Sequence, residues 1–275
     1  MNGFEDTLAL LAFAIVNDSI ADNRFAACHK FIPTLVEALK KPNSFYYPFE
    51  RLRSISILYP PDSTFRIFTW QLYVDVNEYR YYGAIQMNSP ELQLFPLVDR
   101  SFDMGMPDYE VLSDKKWYGA LYYNLKAFDS PEGKKYLLFG FDGHQFFNKR
   151  KLIEVLHFNE EGLPLFGAPV FASANAEESD IRKNRIVLEY TAEAAIRLNY
   201  DEQLEMVIFD HLIPMKSLIK EQGNTFVPDG SYEGYQLAEG EWKHVDKVFF
   251  EVSPEAPRPA PVLDSRKGKD LFGNR

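Results

Sequence analysis

The chain has one cysteine, Cys28, which excludes an intrachain disulfide and any zinc site built on paired thiolates. Its neighbours Ala26, Ala27 and Phe31 point to a buried structural thiol. Long apolar runs are also missing. Leu8 to Val16 is the candidate nearest the N-terminus, and it is too short to cross a bilayer. Glu5 and Asp6 precede it in place of a basic start, and no small-residue cleavage site follows, so neither a membrane span nor an export leader is expected there. Basic charge is short: 30 Lys and Arg against 40 Asp and Glu leave a net charge of −10 and a pI near 5.1. That balance argues against nucleic acid as a partner, because phosphate contacts need clustered cations. Lys149-Arg150-Lys151 is the densest basic run of the middle region and reads as the solvated start of a strand. Sharp catalytic motifs are absent too. The sequence holds no Gly-rich phosphate loop, G-x-S-x-G elbow, His-x-x-x-His helix or EF-hand loop, which weighs against nucleotide enzymes and standard hydrolases.

What is present is apolar and aromatic. Apolar residues make up 46% of the chain and aromatic residues 15%, enough to build a core and to exclude disorder. Thr7 to Lys40 reads as helices. Leu8, Leu11, Phe13, Ile15 and Val16 mark a first segment. Phe25, Cys28, Ile32, Val36 and Leu39 then recur at three- and four-residue steps, with Asp18-Ser19 or Asp22 as the cap and Pro33 as a kink or restart. Residues 1–42 are therefore expected to form a helical segment packed on the body.

From Asn43 to Val252 the texture is that of one all-β domain. Strands are expected over Arg53 to Tyr59, Phe65 to Val74 and Tyr79 to Met87. Leu92 to Val98 is an edge strand, because Pro96 cannot donate to a ladder. Arg100 to Lys116 is a loop. A second group follows: Trp117 to Phe128, Lys134 to Phe141, Lys151 to Phe158 and Leu165 to Phe171, with an exposed acidic loop at 172–182. The third group is Asn184 to Tyr190, Ala194 to Tyr200 and Gln203 to Leu212. Pro214 to Gly230 is then a long connection with room for one short helix, before a hairpin from Tyr235 to Val245 across Ala238-Glu-Gly240. The proline-rich, charged residues 253–275 are expected to form a flexible tail.

The organising stretch is Tyr136-Leu-Leu-Phe-Gly-Phe-Asp-Gly-His144. Its apolar run suits a strand covered on both faces, and Asp142-Gly143 turns the chain. Tyr82-Gly-Ala-Ile85 and Tyr118-Gly-Ala-Leu121 give a faint internal echo. Three successive groups of about four strands fit an antiparallel meander in propeller-like, sandwich or irregular barrel form.

Several phrases are similar to those of a family of mostly exported bacterial all-β proteins with no assigned activity. They are Asn43-Ser-Phe-Tyr-Tyr-Pro-Phe49, Phe65-Arg-Ile-Phe-Thr-Trp70, Trp117-Tyr-Gly-Ala120, Leu138-Phe-Gly-Phe-Asp-Gly143, Phe166-Gly-Ala-Pro-Val-Phe171 and Phe209-Asp-His-Leu212. The resemblance supplies no catalytic residues. It implies a cell-envelope address, periplasmic or secreted, although this chain shows no export signal.

Two constellations could carry function. Asp142 and His144 follow one apolar strand, and Asp210 and His211 close Leu204-Glu-Met-Val-Ile-Phe-Asp-His-Leu212. Were those strands neighbours pointing the same way, the four side chains would meet at one rim and could hold a divalent metal or set a base beside an acid, with Glu189 a further candidate. The competing expectation is that each aspartate caps its own turn and each histidine is satisfied by backbone. His157 reads as packing and His244 as solvent-facing. The second constellation is aromatic: Tyr82, Trp117, Tyr118 and Tyr190 belong to ring clusters richer than one core face requires, and ring platforms with nearby acids bind glycans or peptides. Cross-strand packing is the competing account. The leading expectation is a non-enzymatic binding or assembly module of the cell envelope that recognises a glycan, peptide or other small molecule through aromatic surfaces. The alternative is a metal-assisted hydrolase with its Asp/His site at strand ends. No cofactor is assigned.

Overall fold

The computed structural model describes residues 1–172, 182–216 and 224–249. Two helices open the chain, α1 (Asn2–Asn17) and α2 (Ala21–Leu39). Leu8, Ala12 and Ile15 of α1 and Cys28, Phe31, Leu35 and Ala38 of α2 are buried, at the three- and four-residue steps of one helical stripe. Asp18 turns the chain between the helices, its Oδ1 accepting the N–H of Ile20 at 2.8 Å. Pro33 does not restart the helix, which runs on to Leu39. The carbonyl that loses its partner at Pro33 belongs to His29, an exposed residue where water is available to it.

Apart from three short 3-10 helices, the remaining described elements are strands in three sheets, and the protein is all-β with N-terminal helices. The first sheet holds β1 (Ser56–Leu58), β2 (Phe65–Asp75), β3 (Glu78–Met87) and β4 (Leu94–Val98), antiparallel and in that order. Pro96 sits on the edge strand β4, as its missing N–H requires. The second sheet draws on β5 (Leu112–Ser113), β6 (Leu121–Ser130), β7 (Gly133–Asp142), β8 (Asn148–Phe158) and β9 (Pro164–Phe166), in the order β5-β9-β8-β7-β6. The third sheet runs β11-β10-β16-β15-β14-β13, with β10 (Phe171–Ala172), β11 (Arg182–Lys183), β13 (Leu198–Asp201), β14 (Met206–Lys216), β15 (Asn224–Ala238) and β16 (Glu241–Val245). The β12 strand (Ile186–Thr191) pairs with β8. No sheet closes into a barrel among the described residues.

Period-two alternation stacks these elements in layers. On β2, Phe68, Trp70 and Leu72 face the helices, whereas Phe65 and Ile67 face the second sheet. On β7, Tyr136 and Leu138 join that same inter-sheet core, and Leu137 and Phe139 join another shared with Val207, Phe209 and Trp242 of the third sheet. The β7 strand is thus covered on both faces, as its unbroken apolar text demands. Each such side chain, fully buried, contributes about 1.5–3 kcal/mol.

Departures from the expected strands have local causes. Trp117 to Ala120 is not strand, because Gly119 stands at φ +77°. Leu165 to Phe171 is two strands in different sheets, divided at Gly167, whose φ is +102°. The expected third-group segment Asn184 to Tyr190 belongs to the second sheet. Arg185 draws it there by reaching the Glu154 carboxylate of β8 at 2.8 Å, with both side chains fully buried. Pro214 to Gly230 is no loose connection where it is described: β14 and β15 stay paired from Leu212↔Pro228 to Lys216↔Asn224. The hairpin across Glu239-Gly240 forms as expected, both residues having the positive φ that a two-residue turn needs. Most of the acidic loop expected at 172–182, the stretch 217–223 within the expected connection, and the tail from 253 lie outside the described residues.

Candidate functional site

The first and second sheets part at one end of their shared core, and a cleft of 940 Å³ opens there. The first sheet supplies Tyr79, Tyr81 and Tyr82 from β3, and Asp99 just beyond β4. The second sheet supplies Asp142 from the end of β7, His144 from the following turn, and Arg150 from β8.

Tyr81 connects the two sides. Its backbone N–H donates to Asp99 Oδ2 at 3.0 Å, and its hydroxyl donates to Asp142 Oδ1 at 3.1 Å. The same hydroxyl accepts the N–H of Gly143 at 2.6 Å. Asp142 also takes the backbone N–H of His144 on Oδ1, at 2.8 Å. Ser101 closes a turn on Asp99, its N–H at 3.0 Å and its hydroxyl at 2.8 Å from Oδ1. Burial raises the Asp142 carboxyl above its ordinary range, with the Asp99 charge adding to it and His144 N–H, Arg150 and Tyr81 opposing. Burial raises Asp99 as well, against the bonds from Ser101 and Tyr81. The Tyr81 hydroxyl, buried beside Asp142, is pushed far above the tyrosine range.

His144 is the strained member, at φ +45°. The positive φ expected at Gly143 falls on this histidine. Gly143 is needed for space: a Cβ there would lie 2.8 Å from the Tyr79 ring. Gly119 serves Asp99 in the same way, since a Cβ there would come within 2.3 Å of Oδ1. Burial lowers His144 to about 4, helped by the Arg150 charge, so its imidazole is neutral at physiological pH. Glu189 joins this group from β12. It binds Arg150 through Nε at 2.8 Å and Nη2 at 2.7 Å, and lies 3.7 Å from His144 Nε2.

Lys149-Arg150-Lys151 is a strand start, as expected, but its side chains are engaged rather than left to solvent. Lys149 Nζ donates to the carbonyls of Gly143 and Gln145, Arg150 holds Glu189, and Lys151 Nζ donates to the Ile196 carbonyl at 2.6 Å. The first of these ties the turn that presents His144.

The structure gathers Asp142, His144 and Glu189 and leaves Asp210 and His211 elsewhere. That second doublet is not at a strand exit but inside β14, where the register with β15 shifts between Asp210 and Leu212. Asp210 Oδ2 accepts the Arg197 N–H, and His211 Nδ1 meets Glu233 Oε1. His244 is not solvent-facing: its Nε2 lies 2.9 Å from Glu233 Oε2 and its ring packs on Tyr235. Among the described residues no three His, Cys, Asp or Glu side chains come together as a metal would require.

Of the aromatic candidates, only Tyr82 lines the cleft, stacked on Trp70 with ring centroids 5.7 Å apart. Trp117, Tyr118 and Tyr190 are buried in the core and offer no platform. Trp117 donates its indole N–H to the Tyr122 hydroxyl at 2.8 Å, and the Tyr118 hydroxyl accepts from Arg150 at 3.3 Å. Tyr79, Tyr81 and Phe102 line the cleft as well, the last 74% exposed on the rim. Tyr81, Asp99 and Arg150 escaped the sequence reading. The cluster Tyr79-Arg-Tyr-Tyr82 held the signal: at period two, Tyr79 and Tyr81 share a face opposite to Tyr82.

No described helix is long and apolar enough to cross a membrane. Comparison with family models, with curated proteins and with solved structures returns no match. Function is therefore read from this geometry.

Proposed function

We propose that the protein is a glycan-binding module of the bacterial cell envelope, and that the cleft between the first two sheets is where the sugar sits. One observation carries the reading: ring faces and fixed polar groups converge in a single concave space. Its 940 Å³ lies at the upper end of the range of small-molecule pockets, about 300–1,000 Å³, which suits more than one sugar unit. Tyr79 and Phe102 offer faces on which a pyranose ring stacks. Asp99 and Asp142 accept hydroxyl protons, neutral His144 accepts or donates, and Arg80 and Arg100 donate from the rim. These groups are held in place before any ligand arrives, which lowers the ordering cost of binding. The envelope address comes from the sequence resemblance, and the succession of three mainly antiparallel sheets supports a propeller-like kinship.

The test is a glycan array followed by titration calorimetry with the full chain. Binding of one sugar class, weakened at least tenfold by Tyr79→Ala, is expected. An array with no signal from any glycan sinks the reading, and a signal confined to peptides replaces the sugar by a peptide.

A further inference from the structure

We propose that the cleft also hydrolyses the glycosidic bond of the sugar it holds, with Asp142 giving a proton to the leaving oxygen and Asp99 taking one from the attacking water. The proposal rests on the sugar-binding reading above and adds a reaction to it. Its starting point is Tyr81, which holds one carboxylate at its backbone N–H and the other at its hydroxyl. The two acids line one cleft, one held at the backbone end of Tyr81 and the other at its hydroxyl. A pair of carboxyl groups spaced across a cleft, with room for a sugar carbon and a water between them, is what acid–base cleavage of a glycoside requires.

The two acids are held differently, and the difference assigns their roles. Asp142 is 5% exposed, and its hydrogen bonds among the described residues all fall on Oδ1, which leaves Oδ2 for a leaving-group oxygen. Burial favours its neutral, proton-donating form. Once the proton has gone, Arg150, the Tyr81 hydroxyl and the His144 N–H stabilise the carboxylate left behind. Asp99, which burial also raises, has donors on both oxygens, two from Ser101 and one from Tyr81, and these oppose that rise. Glycines 119 and 143 bring backbone close against Asp99 and Tyr79, so neither wall of the cleft has slack.

In the step itself, the bond between the anomeric carbon and the bridging oxygen breaks, and that oxygen takes the Asp142 proton and leaves as an alcohol. Water forms the new bond to the anomeric carbon and passes its proton to Asp99. Proton exchange with solvent then restores both acids. No oxidant, reductant or further reactant is consumed.

The experiment incubates the full chain with the oligosaccharides that bind on the array and follows new reducing ends by chromatography. Release is expected. Asp142→Asn and Asp99→Asn should each slow it by about 10²–10⁴-fold, with rates taken at saturating sugar and scaled to the folded fraction that the melting curve of each variant gives. With a dinitrophenyl glycoside of the same sugar, whose leaving group needs no proton, Asp142→Asn should regain most of its rate and Asp99→Asn should not. Were Asp142→Asn unable to fold, the pH profile of the unaltered protein serves. The alkaline fall in rate seen with the natural sugar should vanish with the dinitrophenyl glycoside, and a fall that persists overturns the role of Asp142. Binding without release overturns the hydrolysis and leaves the binding module standing; absence of sugar binding overturns both.

Discussion

Arg185 Nε meets Glu154 Oε2 at 2.8 Å, and neither side chain reaches solvent. The same guanidinium also donates to the carbonyls of Pro107, Glu110 and Phe166, so one residue fastens β12 to β8 and pins the loop that follows Asp99. Burial raises the Glu154 carboxyl, and the Arg185 charge pulls it back.

Removing one partner leaves the other charged and dry. Glu154→Gln should therefore cost about 3–5 kcal/mol, read as a lower urea midpoint with an unchanged slope. Amide exchange should quicken at 107–110 before it quickens elsewhere. A midpoint within experimental scatter of the parent would show that the pair is not buried in solution.

Arg66 is a buried cation with no carboxylate against it among the described residues. Its guanidinium bonds the Gln86 side chain, the carbonyls of Ser44 and Tyr47 and the Tyr59 hydroxyl, and lies over the rings of Phe45, Phe49 and Phe68. Lysine keeps the charge and loses the planar fork. Arg66→Lys should destabilise by about 3 kcal/mol through acceptors left unpaired, measured by chemical denaturation.

Tyr81→Phe removes the hydroxyl between Asp142 and Gly143. It should cost about 2 kcal/mol in stability and weaken sugar binding by calorimetry more than Tyr82→Phe does. Equal effects at the two positions would place the ligand elsewhere.

His144 sets a pH dependence of defined sign. Its value falls from 6.5 to about 4 on folding, so below pH 6.5 the unfolded chain takes up a proton that the fold refuses. Stability from this group is complete above pH 6.5 and is lost between there and about pH 4, a span worth about 3 kcal/mol. His144→Asn, which tolerates positive φ, should flatten the denaturation midpoint against pH across that window. A variant whose curve parallels the parent's would remove His144 from the account.

Gly143→Ala should cost about 1–3 kcal/mol because its Cβ meets the Tyr79 ring, whereas Gly162→Ala has open space and pays only for its φ of +75°. Comparing their thermal midpoints, with the larger drop at Gly143, checks that the turn is pressed against Tyr79.

Strand existence was legible because burial writes itself as alternation, and β7, buried twice over, wrote the clearest text. The Glu239-Gly240 turn and the edge placement of Pro96 followed from single-residue stereochemistry. Sheet membership did not follow. Nothing local in Ile186 to Thr191 says that it joins β8; a buried ion pair to a residue far back in the chain decides it. The site was half-visible for the same reason. Asp142 and His144 adjoin a strand end that sequence marks, but Asp99 lies in loop text, and Tyr81 is one tyrosine among sixteen until its partners are known. Trp117 and Tyr118 misled because a ring destined for a core reads like a ring destined for a ligand.

Phe171 pairs in parallel with Trp242, so β10 is complete only when one of the last strands described arrives beside it. During synthesis, then, the stretch around Phe171 emerges with an open edge and stays vulnerable until the hairpin at Glu239-Gly240 closes. A chain stopped short of Trp242 would keep the helices and the first sheet intact while exposing the apolar underside of the second, a form prone to stick to its own copies.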